Sequence, residues 1–277
     1  MTGHEESDVI IGVQTIERPW HGRFQLAEDS VGRWRIGPLS LWVQRLRGEW
    51  RIARETVDDP MDGNLELEIP ADVDDLLTKK VVDRFGVAGD SGDLEMMPAL
   101  ADRPVVARPA KPFHVPQGQQ VTVFVGSPLW VKISAGTPPI QLLDQPIFRP
   151  SDTWFGPSTM EGELCYASRT YLRLNLEGVI RRPHWALTVV KILNRSDTQL
   201  NIELLKLPVS RLTLYQGSDG QLWTQDVAFK RDKDGDSATL RIQKAAPSFA
   251  QDAALLAEPR QSGEENVVMR AFSAIFS

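Results

Sequence analysis

Polar and apolar residues alternate with a period of two over much of this chain. Arg33-Trp34-Arg35-Ile36 and Glu49-Trp50-Arg51-Ile52 are the clearest instances. Such alternation puts one residue type on each face of a strand. Gly32, the Gly37-Pro38 pair and Gly48 interrupt it as turns do. Residues 10–57 therefore read as a β-meander. Trp34, Trp42 and Trp50 recur every eight residues, one aromatic per short strand. From 119 to 244 the strand signal returns in Gln119–Val125, Leu129–Ser134, Tyr166–Leu176, Trp185–Leu193, Gln199–Leu205, Ser210–Tyr215, Leu222–Lys230 and Ser237–Gln243. Asn194-Arg195-Ser196-Asp197, Ser218-Asp219-Gly220 and Asp234-Gly235 lie between these runs as hairpin turns.

Two stretches switch to helical spacing. Val73, Leu76, Leu77, Val81 and Phe85 share one face of a helix predicted over 72–85. Asp72, Asp74 and Asp75 stand at its start, Lys79, Lys80 and Arg84 later, and Gly86 after it. Val267, Val268, Ala271, Phe272, Ile275 and Phe276 make a second stripe. With Ser262 and Glu265 as a capping box, they predict a terminal helix over 263–276. Residues 58–71 read as an acidic loop. Residues 86–118 hold Pro98, Pro104, Pro109, Pro112, Pro116 and a Gly-Asp-Ser-Gly stretch, and read as an extended linker. The expected fold is mainly β with few short helices. An N-terminal β-meander with one helix spans 1–100, and an antiparallel β-sandwich or jelly-roll-like domain with a terminal helix spans 101–277.

Composition narrows the function classes. The 277 residues are 42% apolar and 25% charged, an ordinary globular balance. The net charge of −6 argues against a protein that wraps nucleic acid. Residues 18–54 depart from it, with eight Arg against three acids. Arginine interleaved with tryptophan suits single-stranded nucleic acid. It equally suits docking onto the acidic 58–75 segment of the same chain. Cys165 is the single cysteine, so no internal disulfide forms. Met1 to Ser7 is polar and acidic, and the apolar runs fall short of the ~20 residues a bilayer demands. The expectation is a soluble cytoplasmic protein without a membrane span.

Candidate chemistry concentrates in residues 144–170, a stretch dense in aromatics, hydroxyls and charges between two strand-rich regions. Read as a long loop on a β scaffold, it offers Arg149, Asp152, Trp154, Phe155 and Arg169 as a stacking platform with a polar rim. That recipe fits a sugar or a peptide. Glu161 and Glu163, two apart, would share one face of a strand and could serve glycoside chemistry. Cys165 has no histidine near it in sequence and reads as a small buried thiol. Asp232, Asp234 and Asp236 surround Gly235 as a hairpin tip. Phosphate loops, Gly-x-Ser-x-Gly elbows and His-Glu-x-x-His are missing, and no metal or cofactor is called for.

Several strings resemble an uncharacterised prokaryotic family, a domain of unknown function found in archaea and bacteria. They are Gly37-Pro38-Leu39-Ser40-Leu41-Trp42-Val43, Asp102-Arg103-Pro104-Val105-Val106, Ile147 to Pro157 and Leu222-Trp223-Thr224. The resemblance covers most of the chain. It implies no assigned activity, so no catalytic residue carries over. Some members lie genetically near small-conductance mechanosensitive channels, which implies a regulatory or accessory role. The combined expectation is a non-enzymatic binding or accessory protein. Its partner would be an unknown protein or a small ligand, with nucleic acid not expected and a homodimer compatible with the pattern. The alternatives are a carbohydrate-active or carbohydrate-binding protein using residues 148–169, and nucleic-acid binding through residues 18–54.

Overall fold

The computed structural model describes residues 19–79, 81–88, 91–156, 160–232 and 238–262, and the backbone alone of 266–269; within these, the side chains of 169–171 are not described. The first part of the chain forms β1 (Gly22–Gln25), β2 (Val31–Ile36), β3 (Leu39–Leu46), β4 (Glu49–Thr56), β5 (Leu65–Ala71), α1 (Val73–Leu77) and β6 (Val82–Gly86). The middle forms β7 (Asp93–Leu100), β8 (Val105–Pro109), β9 (Phe113–Val115), β10 (Gln120–Ala135), β11 (Ile140–Pro146), β12 (Ser151–Phe155) and β13 (Glu163–Leu172). Then come β14 (Trp185–Asn194), β15 (Leu200–Ile202), β16 (Leu205–Leu207), β17 (Leu214–Gln216) and β18 (Leu222–Thr224). The last four are β19 (Val227–Arg231), β20 (Ala238–Ile242), β21 (Ala254–Ala257) and β22 (Asn266–Met269). The protein is mainly β, as its pattern predicts.

The meander is the centre of a five-stranded antiparallel sheet in the order β5-β2-β3-β4-β6. Alternation sorts its tryptophans. Trp34 and Trp50 point with Ile36 and Ile52 into the main core. Trp42 points the other way, into a small cluster with Val31, Ala53 and Leu76. α1 supplies Leu76 to that outer cluster. Its Asp75 accepts a 2.7 Å hydrogen bond from the Trp42 indole, and the Lys79 ammonium sits 4.0 Å from the ring centroid.

The larger sheet has eleven strands. Its path runs β1-β7-β10-β14-β18-β17-β21, with β11 on β10 and β19, β20 and β22 branching from β14. Pairing is mostly antiparallel, but β13 runs parallel to β8, and β14 runs parallel to β18 and β19. The sheet curls until β21 comes beside β7. Arg260, just past β21, clips that curl shut. Its guanidinium makes a two-pronged ion pair with Asp144 of β11 at 2.6 and 2.7 Å, and donates to the Leu100 carbonyl at the end of β7. One cluster of buried side chains runs from Trp20 to Ile242 and joins the inner face of the five-stranded sheet to the large one. A four-stranded sheet, β12-β13-β8-β16, and the pair β15-β9 complete the fold. Among the described residues no helix is long and apolar enough to cross a membrane.

Three expectations give way. The helix predicted over 72–85 is only Val73–Leu77, capped by the Asp72 carboxylate accepting from the Asp74 amide. Residues 82–86 are instead a strand on the open edge of β4, where Val82 suits a ladder better than a helix. The linker at 86–118 carries β7, β8 and β9, with β7 inside the large sheet between β1 and β10. The terminal helix predicted over 263–276 is, at Asn266–Met269, strand β22 on β20, with Val268 opposite Thr239. Adjacent β-branched valines beside an available edge favour that outcome. The other residues of that stripe, from Ala271 on, lie outside the described residues. The Asp232–Asp236 tip joins the antiparallel strands β19 and β20, although Asp234 and Asp236 also lie outside.

The Arg260 clip makes a testable claim. Arg260→Ala should leave the partly buried Asp144 carboxylate with only Lys132, 4.0 Å away, and cost about 2–3 kcal/mol of unfolding free energy. A urea midpoint unchanged from wild type would show that the curl closes without it.

Candidate functional site

The stretch read as a long loop at 144–170 is a β-hairpin. β12 pairs antiparallel with β13 in the register Asp152↔Tyr166, Thr153↔Cys165, Trp154↔Leu164 and Phe155↔Glu163. Its strands are Ser151–Phe155 and Glu163–Leu172. The turn depends on glycine. A Cβ at Gly162 would collide with the Trp154 indole nitrogen and the Phe155 carbonyl, and one at Gly156 would overlap the Glu161 backbone. The indole therefore lies down against Gly162.

Strand alternation divides the predicted site between two faces. Asp152 and Trp154 share one face, the outer one, with Leu164 and Tyr166; it is open at Trp154 and Leu164 but closed at Tyr166, which is buried against Trp130 of the main core. Phe155 turns to the other face and is buried with Val106 and Cys165. The platform thus keeps Trp154 and loses Phe155 to the core. The backbone of Arg169 belongs to β13, but its side chain lies outside the described residues.

On the outer face, Trp154 is 49% exposed, Leu164 opposite it 43%, and Met160 in the turn 90%. Charged groups border them. The Asp152 carboxylate is shared between Arg103, 3.3 Å away, and Arg149, 3.1 Å away. Arg103 also lies 5.3 Å from the centre of the Tyr166 ring, whose hydroxyl donates to Asp102 at 3.0 Å. Burial first, and the Asp102 bond second, push the Tyr166 phenol up. Arg103 and Asp102 escaped the site reading because they lie some fifty residues upstream, on the approach to β8. Their one signal was the string Asp102-Arg103-Pro104-Val105-Val106.

The carboxylate pair fares differently. Glu163 begins β13 and is bonded to Lys206 of β16, whereas Glu161 lies in the turn. The two are not successive same-face positions of one strand. Cys165 is buried, and desolvation, aided by Glu163, pushes its thiol up to about 11. It is a neutral thiol at physiological pH.

Arg33, Arg35, Arg51 and Arg54 of the meander are committed within the chain. Arg33 pairs with Glu66 and Glu68, Arg35 with Asp62 and Glu66, and Arg54 with Asp83. Arg84 and Arg51 converge on Glu49 and hold its carboxyl down to about 2. The acidic segment after the meander therefore acts as the partner of its basic face.

Fold and surface together define a mainly β protein with an exposed aromatic hairpin. The chain belongs to the family described as protein of unknown function, DUF432, whose model matches residues 20–276. No curated protein and no solved structure matches it.

The two faces of the hairpin should respond oppositely to truncation. Phe155→Ala should cost about 3–5 kcal/mol, as a large core side chain does. Trp154→Ala should cost under about 1 kcal/mol, because half the ring is already in water. Equal losses in paired thermal or urea unfolding curves would mean that Trp154 is a packing residue.

Proposed function

We propose that this is a non-enzymatic binding protein of accessory role, and that the outer face of the β12–β13 hairpin recognises a protein partner. The observation that carries this reading is the exposed Trp154–Leu164 cross-strand pair with Met160 beyond it. Large apolar side chains grouped at a surface are costly to keep in water and mark interaction sites. Trp, Met and Arg are the residue types enriched at such sites, and a charged rim around an apolar centre is the usual arrangement. Arg103, Arg149 and Asp152 supply that rim. The mutual pairing of these three charges leaves the apolar centre as the main source of affinity, with the rim setting orientation.

A photo-crosslinking residue at position 164 in intact cells tests the reading. One protein species should be captured, and Trp154→Ala should reduce that capture at least about tenfold, the loss of ~1.4 kcal/mol or more expected of an aromatic anchor. A thermal-shift screen against sugars runs beside it. A midpoint rise of a few degrees with a sugar, abolished by Trp154→Ala, would replace the protein partner with a carbohydrate. Capture that is indifferent to Trp154 would remove the hairpin as the site.

A further inference from the structure

We propose that the junction between the five-stranded sheet and the start of β14 is an acid-sensitive latch, in which protonation of His184 releases the loop at residues 57–64. His184 is 1% exposed, and its Nε2 lies 3.2 Å from the carbonyl oxygen of Pro60. A neutral ring with its proton on Nε2 donates to that carbonyl. The opposite nitrogen, Nδ1, is buried and has no hydrogen-bond partner. Gly37 closes that side. Its φ is +55°, and a Cβ there would overlap Nδ1 and approach the Asp62 carbonyl oxygen. A second proton on the ring would therefore enter a buried site that offers it no acceptor.

The charged groups around the ring balance poorly for an imidazolium. Asp62, in the loop itself, is its attractive neighbour. That carboxylate is already bound by Arg35 at 3.0 Å and by the Asn64 amide at 2.8 Å, while Arg35 also holds Glu66. Arg182, two residues before His184 and packed over Gly63, repels a positive ring. The Pro60 carbonyl also favours the charged ring, but burial outweighs it and holds the His184 ring down to about 4. Among the described residues, a second deeply buried histidine bears on the same place. His21 is 6% exposed and sits edge-on to Trp20, whose indole donates to the Pro183 carbonyl at 3.1 Å. Burial alone holds His21 down to about 4 as well.

The loop is fastened at a few points. Val57 donates to Pro38, Gly37 donates to Asn64, Pro60 accepts from His184, and Asp62 pairs with Arg35. An opened His184 titrates at its ordinary 6.5, and the closed one only near 4. The opened form thus binds more protons between these values. Closure is fully favoured above 6.5 and is lost as pH falls toward 4. Between pH 7.5 and 5.0 the opening constant should rise about 30-fold from His184 alone. Opening would uncover further apolar surface beside Val57, Met61 and Leu65, which are already exposed at this end of the sheet.

Amide hydrogen exchange on the whole protein, corrected for intrinsic rates, reads this directly. The Gly37, Val57 and Asn64 amides should show the roughly 30-fold rise in opening. Amides in the middle of β10 and β14 should not. His184→Gln keeps a donor toward Pro60 but cannot titrate, so it should flatten the response. Should that variant fail to fold, the imidazole resonances of the wild-type protein decide: the His184 ring should titrate below pH 5. A folded-state titration near 6.5, pH-independent exchange at the three reporters, or an equal rise at the β10 and β14 amides would each overturn the latch.

Discussion

The sixteen residues of β10 serve both halves of the large sheet only because the ladder changes partners at Pro128. From Gln120 to Pro128 the strand pairs with β14, and from Leu129 to Ala135 it pairs with β7 and β11. Proline has no N–H to give, so it interrupts a ladder wherever it stands in one. Here it stands where one set of partners ends and the next begins. The Leu129 amide resumes the pattern by donating to the His184 carbonyl, and the Leu129 carbonyl accepts from Ile147. One strand thus ties together β14, β11 and β7, and the sheet bends around the junction. Closure by Arg260 follows from that bend, because only a curled sheet brings the segment after β21 back to Leu100 and Asp144.

Local periodicity was legible where each strand has one wet and one buried face. β2 satisfies that condition, whereas β3 is buried on both faces from Leu41 to Gln44; Gly37 and Gly48 mark true turns, but Gly32 lies inside β2 opposite Val43. The same logic found most later strands, but it read β10 as two, since Gly126-Ser127-Pro128 looks like a break. It could not say which strands pair, because partner choice depends on non-local packing. The proline-rich segment misled for a related reason. Pro98 lies in β7 opposite Val131 of β10, past the end of β1, whose last partner is Met96. Pro104, Pro112 and Pro116 flank β8 and β9 instead of breaking them. Proline density reads as linker only when no sheet edge is waiting for the residues between.

The hairpin shows the same division. Arg149, Asp152 and Trp154 were legible as a group because they are close in sequence and unusual in type. The opposite orientation of Phe155 follows from a period of two, but only once the segment is known to be a strand. Arg103 and Lys206, which pair with Asp152 and Glu163, arrive from β8 and β16 through sheet topology. Cross-sheet ion partners of this kind leave no trace in spacing.

Charge carries the last step of the argument. Along the sequence the basic meander suits either single-stranded nucleic acid or docking onto the acidic segment after it. In the fold β5 lies antiparallel on β2, which sets Arg33 opposite Glu68 and Arg35 opposite Glu66. Opposite charges at facing positions stabilise the pair of strands and cancel most of the local field. A surface so neutralised is a poor lure for phosphates. Residues that looked like chemistry are thereby spent on holding a sheet edge. On the outer face of β12–β13, Trp154, Leu164 and Met160 stay exposed instead, and that contrast is why the proposed recognition surface is placed there and not on the basic meander.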